Sequence, residues 1–477
     1  MHPIDIIIFI VYLVGMLGIG YYFLRKNKDA DDYYVGGRNM SKWHVGISVV
    51  ATDVGGGFSI GLGGLGFVMG IAGSWMLFTG LIGAWLSAVF LIPRIYKLGA
   101  EGKLRTFPEI FNHFFDHRVA LAAGIISGIG YLGFTSSQLL AGAKLATATF
   151  PALELKYALV VMGVIAVVYT VMGGLKAVIF TDSIQWAILL GGLIFIGIPL
   201  SYFELGGIHV IRQSVQPELL SITNVSWSQL VNWAVTIIPI WFVGMTLYQR
   251  IYACRSVKDA QKAWYIAGVF EWPLMAFMGV TLGMFARVAL DIGLFEHLGY
   301  TNIDNIDAEM GLPLLLRTIL PPGLTGIMMA AYFSAILSTA DSCLMASSGN
   351  FVSDLMAKIM PIKEERLLRL SQWVTLAIGT LALILAATMT NVLELMLMSY
   401  AFMVSGLLVP VLSVLILKKN NSNAALAAML VGGGTTLALQ VSGVDLPLEL
   451  DPNIFGISAS ALIFALVYKL IPEKLVN

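Results

Sequence analysis

The sequence predicts an all-α integral membrane protein of about 13 transmembrane helices, a single transmembrane domain over residues 1–477. Three observations lead there. Hydrophobic residues make up 58% of the chain and charged residues only 12%, with a mean hydropathy of +0.85, whereas a soluble domain carries roughly 25% charged residues. The apolar residues come in runs of about 20 or more, the length a helix needs to cross a hydrocarbon core about 30 Å thick. Backbone groups in lipid must bond internally, so these runs are helices.

Spans fall near 4–23, 44–70, 73–98, 119–148, 157–173, 176–203, 230–252, 263–289, 313–350, 367–389, 391–417, 424–442 and 454–471. The first has no basic n-region and no small-residue cleavage site, so it reads as a retained span rather than a signal peptide. Odd parity puts the termini on opposite sides.

Basic residues cluster after the odd-numbered spans: Arg25, Lys26, Lys28 and Arg38; Arg94, Lys97, Lys103, Arg105 and Arg118; Arg250, Arg255, Lys258 and Lys262; Lys358, Lys363, Arg366 and Arg369; Lys418 and Lys419; Lys469 and Lys474. The opposite loops, at 291–311 and 445–453, are acidic. By the positive-inside rule the N-terminus is outside and the C-terminus cytoplasmic. The cytoplasmic stretch 105–118 has Phe107, Ile110, Phe111, Phe114 and Phe115 at helical spacing. It is expected to lie in the membrane interface as an amphipathic helix.

The second span holds the least usual stretch, ATDVGGGFSIGLGGLGFVMG at 51–70, with Asp53 and eight glycines. Glycine disfavours helix by roughly 1 kcal/mol against alanine, and a mid-membrane Asp costs roughly 2.5–3.5 kcal/mol on insertion scales. GLGGLG at 61–66 matches a dinucleotide fingerprint in letters, but no strand precedes it and no acid follows at the required distance. Gly57 with Gly61, or Gly66 with Gly70, has close-packing spacing, which leaves Asp53 unexplained. A discontinuous helix explains both, because an unwound turn frees backbone carbonyls for a cation or solute. Such helices come in pairs that open two inverted five-helix repeats. The seventh span, with Pro239 and Gly244, is the matching one, giving repeats of about 44–203 and 230–417.

Other classes are excluded by chemistry. Cys254 and Cys343 lie in separate apolar segments without metal or disulfide spacing, so both read as packed thiols. A net charge of +0 argues against a nucleic-acid partner, which demands a basic surface. His113 and His117 are four apart but lack a third ligand nearby. No HExxH motif occurs, and the GxSxG match at 57–61 lies inside an apolar span with no strand before it, so the chain is not expected to be an enzyme.

A hard cation such as Na⁺ takes oxygen ligands. The ninth span offers Ser334, Ser338, Asp341 and Ser342 on one helical face, with Thr339 beside them. Such a stripe is either interhelical glue or an ion path, and Asp341 favours the path. Asp182 is a third intramembrane acid. With lysine and arginine nearly absent from the span interiors, a mobile cation is the expected partner of Asp53, Asp182 and Asp341.

At DDYYVGGR (31–38), YTVMGGLKAVIFTD (169–182), QRIYACRS (249–256) and AAYFSAILSTADS (330–342) the sequence resembles the sodium:solute symporter family, over almost the whole chain. The resemblance implies a leucine-transporter-like core of ten helices, with one helix before it and two after it. Carried over, the family's sodium site would use the carbonyls of Ala51, Val54 and Ala335 and the hydroxyls of Ser338 and Thr339. Asp53 falls where proline-type members carry an acid linked to sodium dependence. Some members bind a second sodium between an Asp at the position of Asp182 and two serines; here those positions read Asp341 and Ser342. A stronger cation site and a carboxyl pair sharing one proton are both open. Phe134, Gln138 and Trp241 are candidates for the solute cavity. The fourth span has no arginine to clamp an acidic sugar.

The implied function is Na⁺-coupled import of a small polar solute by alternating access, with a lean to an amino acid or similar zwitterion such as proline. Na⁺ is the coupling ion, and no other cofactor is expected. The protein is expected to act as a monomer in a plasma membrane, the inner membrane of a bacterium. The alternatives are a symporter-fold sensor, disfavoured by the short tail IPEKLVN, and proton coupling through Asp182 and Asp341.

Overall fold

The computed structural model describes residues 2–26, 35–102, 104–150, 152–356 and 364–471. Among these residues the backbone forms helices and no strand beyond an isolated bridge of Met40 with Cys254. In chain order the helices are α1 (Pro3–Lys26), α2 (Lys42–Met69), α3 (Trp75–Phe90), α4 (Ile92–Gly102), α5 (Glu109–Phe114), α6 (His117–Thr149), α7 (Leu155–Gly192), α8 (Ile198–Glu204) and α9 (Gly207–Ser214). They continue with α10 (Trp227–Val243), α11 (Met245–Ala253), α12 (Val257–Val269), α13 (Ala276–Asp291), α14 (Ala308–Ile319) and α15 (Leu324–Gly349). The last are α16 (Glu364–Ala386), α17 (Val392–Leu415), α18 (Ser422–Ser442) and α19 (Pro452–Leu470).

Local chemistry starts many of these helices. Asp116 accepts from the amides of Arg118 and Val119 at the head of α6, and Ser226, Asn391 and Asn421 do the same for α10, α17 and α18. Each satisfies donors that a first helical turn leaves unpaired. The layering follows burial. α15 is buried from Met328 to its end and packs against α1, α2, α6 and α7, whereas α19 is the most exposed of the long apolar helices. The polar stripe therefore sits on the central helix.

Among the described residues, nine helical segments are long and apolar enough to cross a membrane, ten with the bent pair α10 and α11. The expectation of about 13 separates runs that the backbone joins, as at 59–90, and counts the shorter apolar helices Pro3–Met16 and Leu155–Thr170. α7 covers the expected span 157–173 and runs on into the expected span 176–203 as far as Gly192. Thr170 bonds Asp341 and Asp182 bonds Ser338, about one turn apart on α15. Both residues of α7 thus meet the polar stripe of α15.

Two expectations are corrected. The span at 313–350 is not one helix: α14 ends at Ile319, α15 starts at Leu324, and between them lie Pro321, Pro322 and Gly323 at φ 92°. Consecutive prolines remove amide donors and restrict the residue before them, which stops the helix. Nor does the 105–118 stretch lie on the lipid surface. Phe107, Ile110, Phe111 and Phe115 are buried in the protein, and the ring of Phe107 lies 4.6 Å from that of Tyr248. Amphipathic spacing marks an apolar face without saying what covers it.

Cys254 and Cys343 are free and buried, and no metal-binding group of three or more His, Cys, Asp or Glu occurs among the described residues. Residues 31–34 of the 31–38 block, together with Lys28, Lys103, Lys358, Lys363 and Lys474, lie outside the described residues.

Candidate ion and solute site

The break in α2 falls at Gly55, with φ 39° and ψ −160°. A Cβ there would lie 2.6 Å from Oγ1 of Thr339 on α15, so both the left-handed backbone and the close approach require glycine. The later glycines serve packing. A Cβ at Gly66 would lie 2.2 Å from the carbonyl of Val280 on α13, the close helix contact that small residues permit. The second broken helix is α10–α11, bent by 44° at Gly244, where ψ of 113° leaves the helical region.

Around the α2 break three oxygens converge. Thr339 Oγ1 lies 3.1 Å from the carbonyl of Ala51 and 3.2 Å from that of Ala335. One hydroxyl proton cannot serve both carbonyls, so an acceptor lone pair remains at the cluster. Val54 is buried one residue before the break. Ser338 stands apart from the cluster, because its hydroxyl donates to Oδ1 of Asp182.

Asp182, Asp341 and Ser342 are all buried here but do not form one cage. Asp182 also accepts from Ser48 Oγ at 2.5 Å. Asp341 accepts from Thr170 Oγ1 at 2.5 Å and leaves Oδ2 without a donor. Ser342 Oγ accepts from Nη2 of Arg250 at 3.1 Å.

Arg250 corrects two expectations. Placed with the cytoplasmic charges by the sequence, it is fully buried, donating from Nε to Ser48 Oγ (3.0 Å), from Nη1 to the Thr246 carbonyl (3.2 Å) and from Nη2 to Thr52. Its Nη2 lies 3.7 Å from Oδ2 of Asp182. The span interiors thus do contain a cation, and Asp182 has a protein partner. Lys144 is a second one, buried against Glu309 at 2.5 Å.

The solute candidates separate as well. Gln138 is buried with Oε1 accepting from the Gly56 amide at 2.9 Å, so it fastens the break of α2. Phe134 packs edge-on against Tyr400 at 5.0 Å, and Tyr400 donates toward Oδ1 of Asp53 at 3.4 Å. Trp241 is fully buried just before the break at Gly244. A cavity of about 830 Å³ is walled by Leu65, Trp233, Leu393 and Gln440 and reaches Leu397 and Ala401, the chain neighbour of Tyr400.

Sequence reasoning missed Ser48, Thr52, Thr170, Arg250, Glu271 and Tyr400. Glu271 carried the signal that marked Asp53, an acid inside an apolar run, whereas the hydroxyls and Arg250 acquire meaning only when helices meet.

The sodium:solute symporter family pattern matches residues 33–432. The chain belongs to the sodium:solute symporter family. It is 28% identical to the osmoregulated proline transporter OpuE of Bacillus subtilis (strain 168) over 92% of this chain and 90% of that one. It is 27% identical to the sodium/proline symporter of Escherichia coli (strain K12), covering 97% and 93% respectively. Its backbone matches that of a Na⁺-coupled sialic acid symporter solved substrate-bound and outward-open, with a TM-score of 0.80 over 98% of each chain at 22% identity. That likeness carries the fold. This member is a multi-pass membrane transporter with the leucine-transporter-like architecture expected above.

Proposed function

We propose that this transporter is a Na⁺-coupled symporter that imports a small polar organic solute by alternating access. The observation that carries the reading is the convergence of Ala51 O, Ala335 O and Thr339 Oγ1 on the broken turn of α2. These are hard oxygen donors between two helices, as a Na⁺ site needs. Val54 O and the hydroxyl of Ser338 complete the set, the latter after giving up Asp182. Na⁺ bound there holds α2 against α15 and favours the outward-open state. One charge moving through 100 mV supplies about 2.3 kcal/mol.

The proline transporters among the relatives support a small amino acid or similar zwitterion as solute and a bacterial plasma membrane as location. The N-terminus is outside, the C-terminus cytoplasmic, and the monomer is the working unit. The breaks in α2 and α10–α11 open two five-helix repeats, about 44–203 and 230–417. Arg250 beside Asp182 supports reading that carboxyl as half of an internal ion pair rather than as a second Na⁺ site or a proton carrier with Asp341.

The test is uptake into vesicles with an imposed Na⁺ gradient. Ser338→Ala combined with Thr339→Ala should raise the half-saturating Na⁺ concentration at least tenfold while the protein still inserts. Unchanged Na⁺ dependence sinks the site, and accumulation that survives collapse of the gradient sinks the symport.

A further inference from the structure

Glu271 and Asp53 form a second pair of buried acids, separate from the oxygens around Thr339. Glu271 has no exposed surface and lies in the stretch Phe270–Met275, where Trp272 leaves helical geometry at φ −140° and ψ 122°. The carboxyls of Glu271 and Asp53 interact across the helices, and a pair ionised on both sides has no proton to share. Among the described residues, neither oxygen of Glu271 accepts from any donor, and Oδ2 of Asp53 accepts from none. Tyr400, 3.4 Å from Oδ1 of Asp53, is the one hydroxyl that reaches the pair among the described residues. No arginine, lysine or histidine of the described residues bonds either carboxyl; Arg250 is spent on Ser48, Thr52, Ser342 and Asp182. A buried carboxylate pair without donor or cation is strongly unfavourable, so it takes up either a proton or a cationic guest.

Unmatched donors lie alongside. Gly80 and Gly83 share one face of α3 and let two side chains sit against it. A Cβ at Gly80 would lie 2.3 Å from Oε2 of Glu271, and one at Gly83 would lie 2.4 Å from Cδ1 of Trp241. The indole Nε1 of Trp241, bonded to that Cδ1, donates to nothing, and neither does Nε1 of Trp264, whose ring meets Trp241 edge-on at 6.3 Å. Both indoles are buried. Acceptors that lack donors beside donors that lack acceptors define the missing molecule: an ammonium with N–H groups toward the carboxyls and an oxygen acceptor toward the indoles.

We propose that Asp53 and Glu271 together bind the ammonium group of the transported solute, which is therefore a small amino acid with a primary or secondary amine. The inference rests on reading the chain as a solute symporter. A quaternary ammonium has no N–H to offer two carboxyls, so a betaine of equal size is rejected although its charge is the same.

The experiment uses the full-length protein in proteoliposomes, with L-proline, L-alanine and glycine betaine as probes and radiolabelled Na⁺ binding measured without solute. The wild type should bind proline or alanine at least tenfold more tightly than betaine. Glu271→Gln should weaken the amino acid by about 10- to 100-fold, the loss of one charge-assisted contact, with Na⁺ binding unchanged. Glu271→Asp should recover part of the affinity. Equal affinity for betaine, no binding of either amino acid, unchanged amino-acid affinity in Glu271→Gln, or loss of Na⁺ binding in a Glu271→Gln protein of normal thermal unfolding each overturns the ammonium site. Should Glu271→Gln not fold, the wild-type comparison with betaine still decides. A wild type that binds amino acids but no Na⁺ refutes the symport reading and leaves the ammonium site standing.

Discussion

Arg250 holds its guanidinium 3.7 Å from the carboxyl of Asp182, and neither side chain has any exposed surface. The pair joins α11 to α7, and Ser48 ties both to α2 by bonding each partner. Breaking a buried pair leaves an uncompensated charge, a loss of about 3–5 kcal/mol. Arg250→Gln should therefore lower the unfolding midpoint strongly in a thermal or denaturant assay. Arg250→Lys keeps the charge but cannot reach Ser48, Thr246, Thr52 and Ser342 from one planar fork, so it should recover only part of the loss. Recovery to wild-type stability by lysine would show that charge alone matters here.

The contrast between Gly55 and Arg250 shows where the sequence was legible. A glycine run with an acid inside a span conflicts with helix propensity and with lipid, and two conflicts in one place pointed to the broken turn before any coordinates. Gly244 was readable for the same reason. Arg250 stands at the end of a span, where a basic residue ordinarily faces the cytoplasm. Its burial depends on hydroxyls from α2 and α15 arriving around it, which no local pattern records. Glu271 was readable by the rule that found Asp53. The phenylalanines at 107–115 were correctly seen as one apolar face, but lipid and protein are equally good covers for such a face.

Gly55 itself is open to test. Gly55→Ala would need a Cβ 2.6 Å from Oγ1 of Thr339 on a backbone at φ 39°. α2 and α15 must then separate or the break must straighten, and either change displaces the Ala51 carbonyl from Thr339. Uptake should fall at least tenfold and the half-saturating Na⁺ concentration should rise, measured in the same vesicles. Gly66→Ala, crowding the backbone of Val280, should lower stability and leave the Na⁺ dependence of the folded fraction unchanged.

At the other end of the fold, Asp5 on α1 accepts from the amides of Gly323 (2.7 Å) and Gly326 (2.9 Å) through Oδ1. A helix outside the proposed repeats thereby caps the first turn of the central helix α15. Loss of a cap costs about 1–2 kcal/mol, so Asp5→Ala should lower the free energy of unfolding by that amount, read from the shift of the denaturant midpoint. Asp5→Asn keeps an acceptor oxygen and should lose less. Uptake per folded molecule should be unaltered in both.

Lys144 and Glu309 carry a pairing with two separable parts. Glu309 bonds Lys144 at 2.5 Å, and its carboxyl also accepts from the amides of Val392 (3.0 Å) and Leu393 (3.0 Å) at the start of α17. Lys144→Met leaves a buried carboxylate with its amide donors and with Asp307 freed from its 2.6 Å contact with the same lysine. Glu309→Met leaves a buried ammonium that still reaches Asp307 and leaves the Val392 and Leu393 amides at the start of α17 without an acceptor. Each single change should cost about 3–5 kcal/mol. The double replacement removes both buried charges and should recover most of the pair's loss, since apolar substitutes for a buried pair are often neutral. It should not recover all of it, because these amides at the start of α17 stay without an acceptor, a remainder of about 1–2 kcal/mol. A double-mutant cycle by denaturant unfolding reads both parts. Full recovery in the double variant would show that Glu309 acts only as a counter-ion, and strict additivity would show that the pair is not coupled.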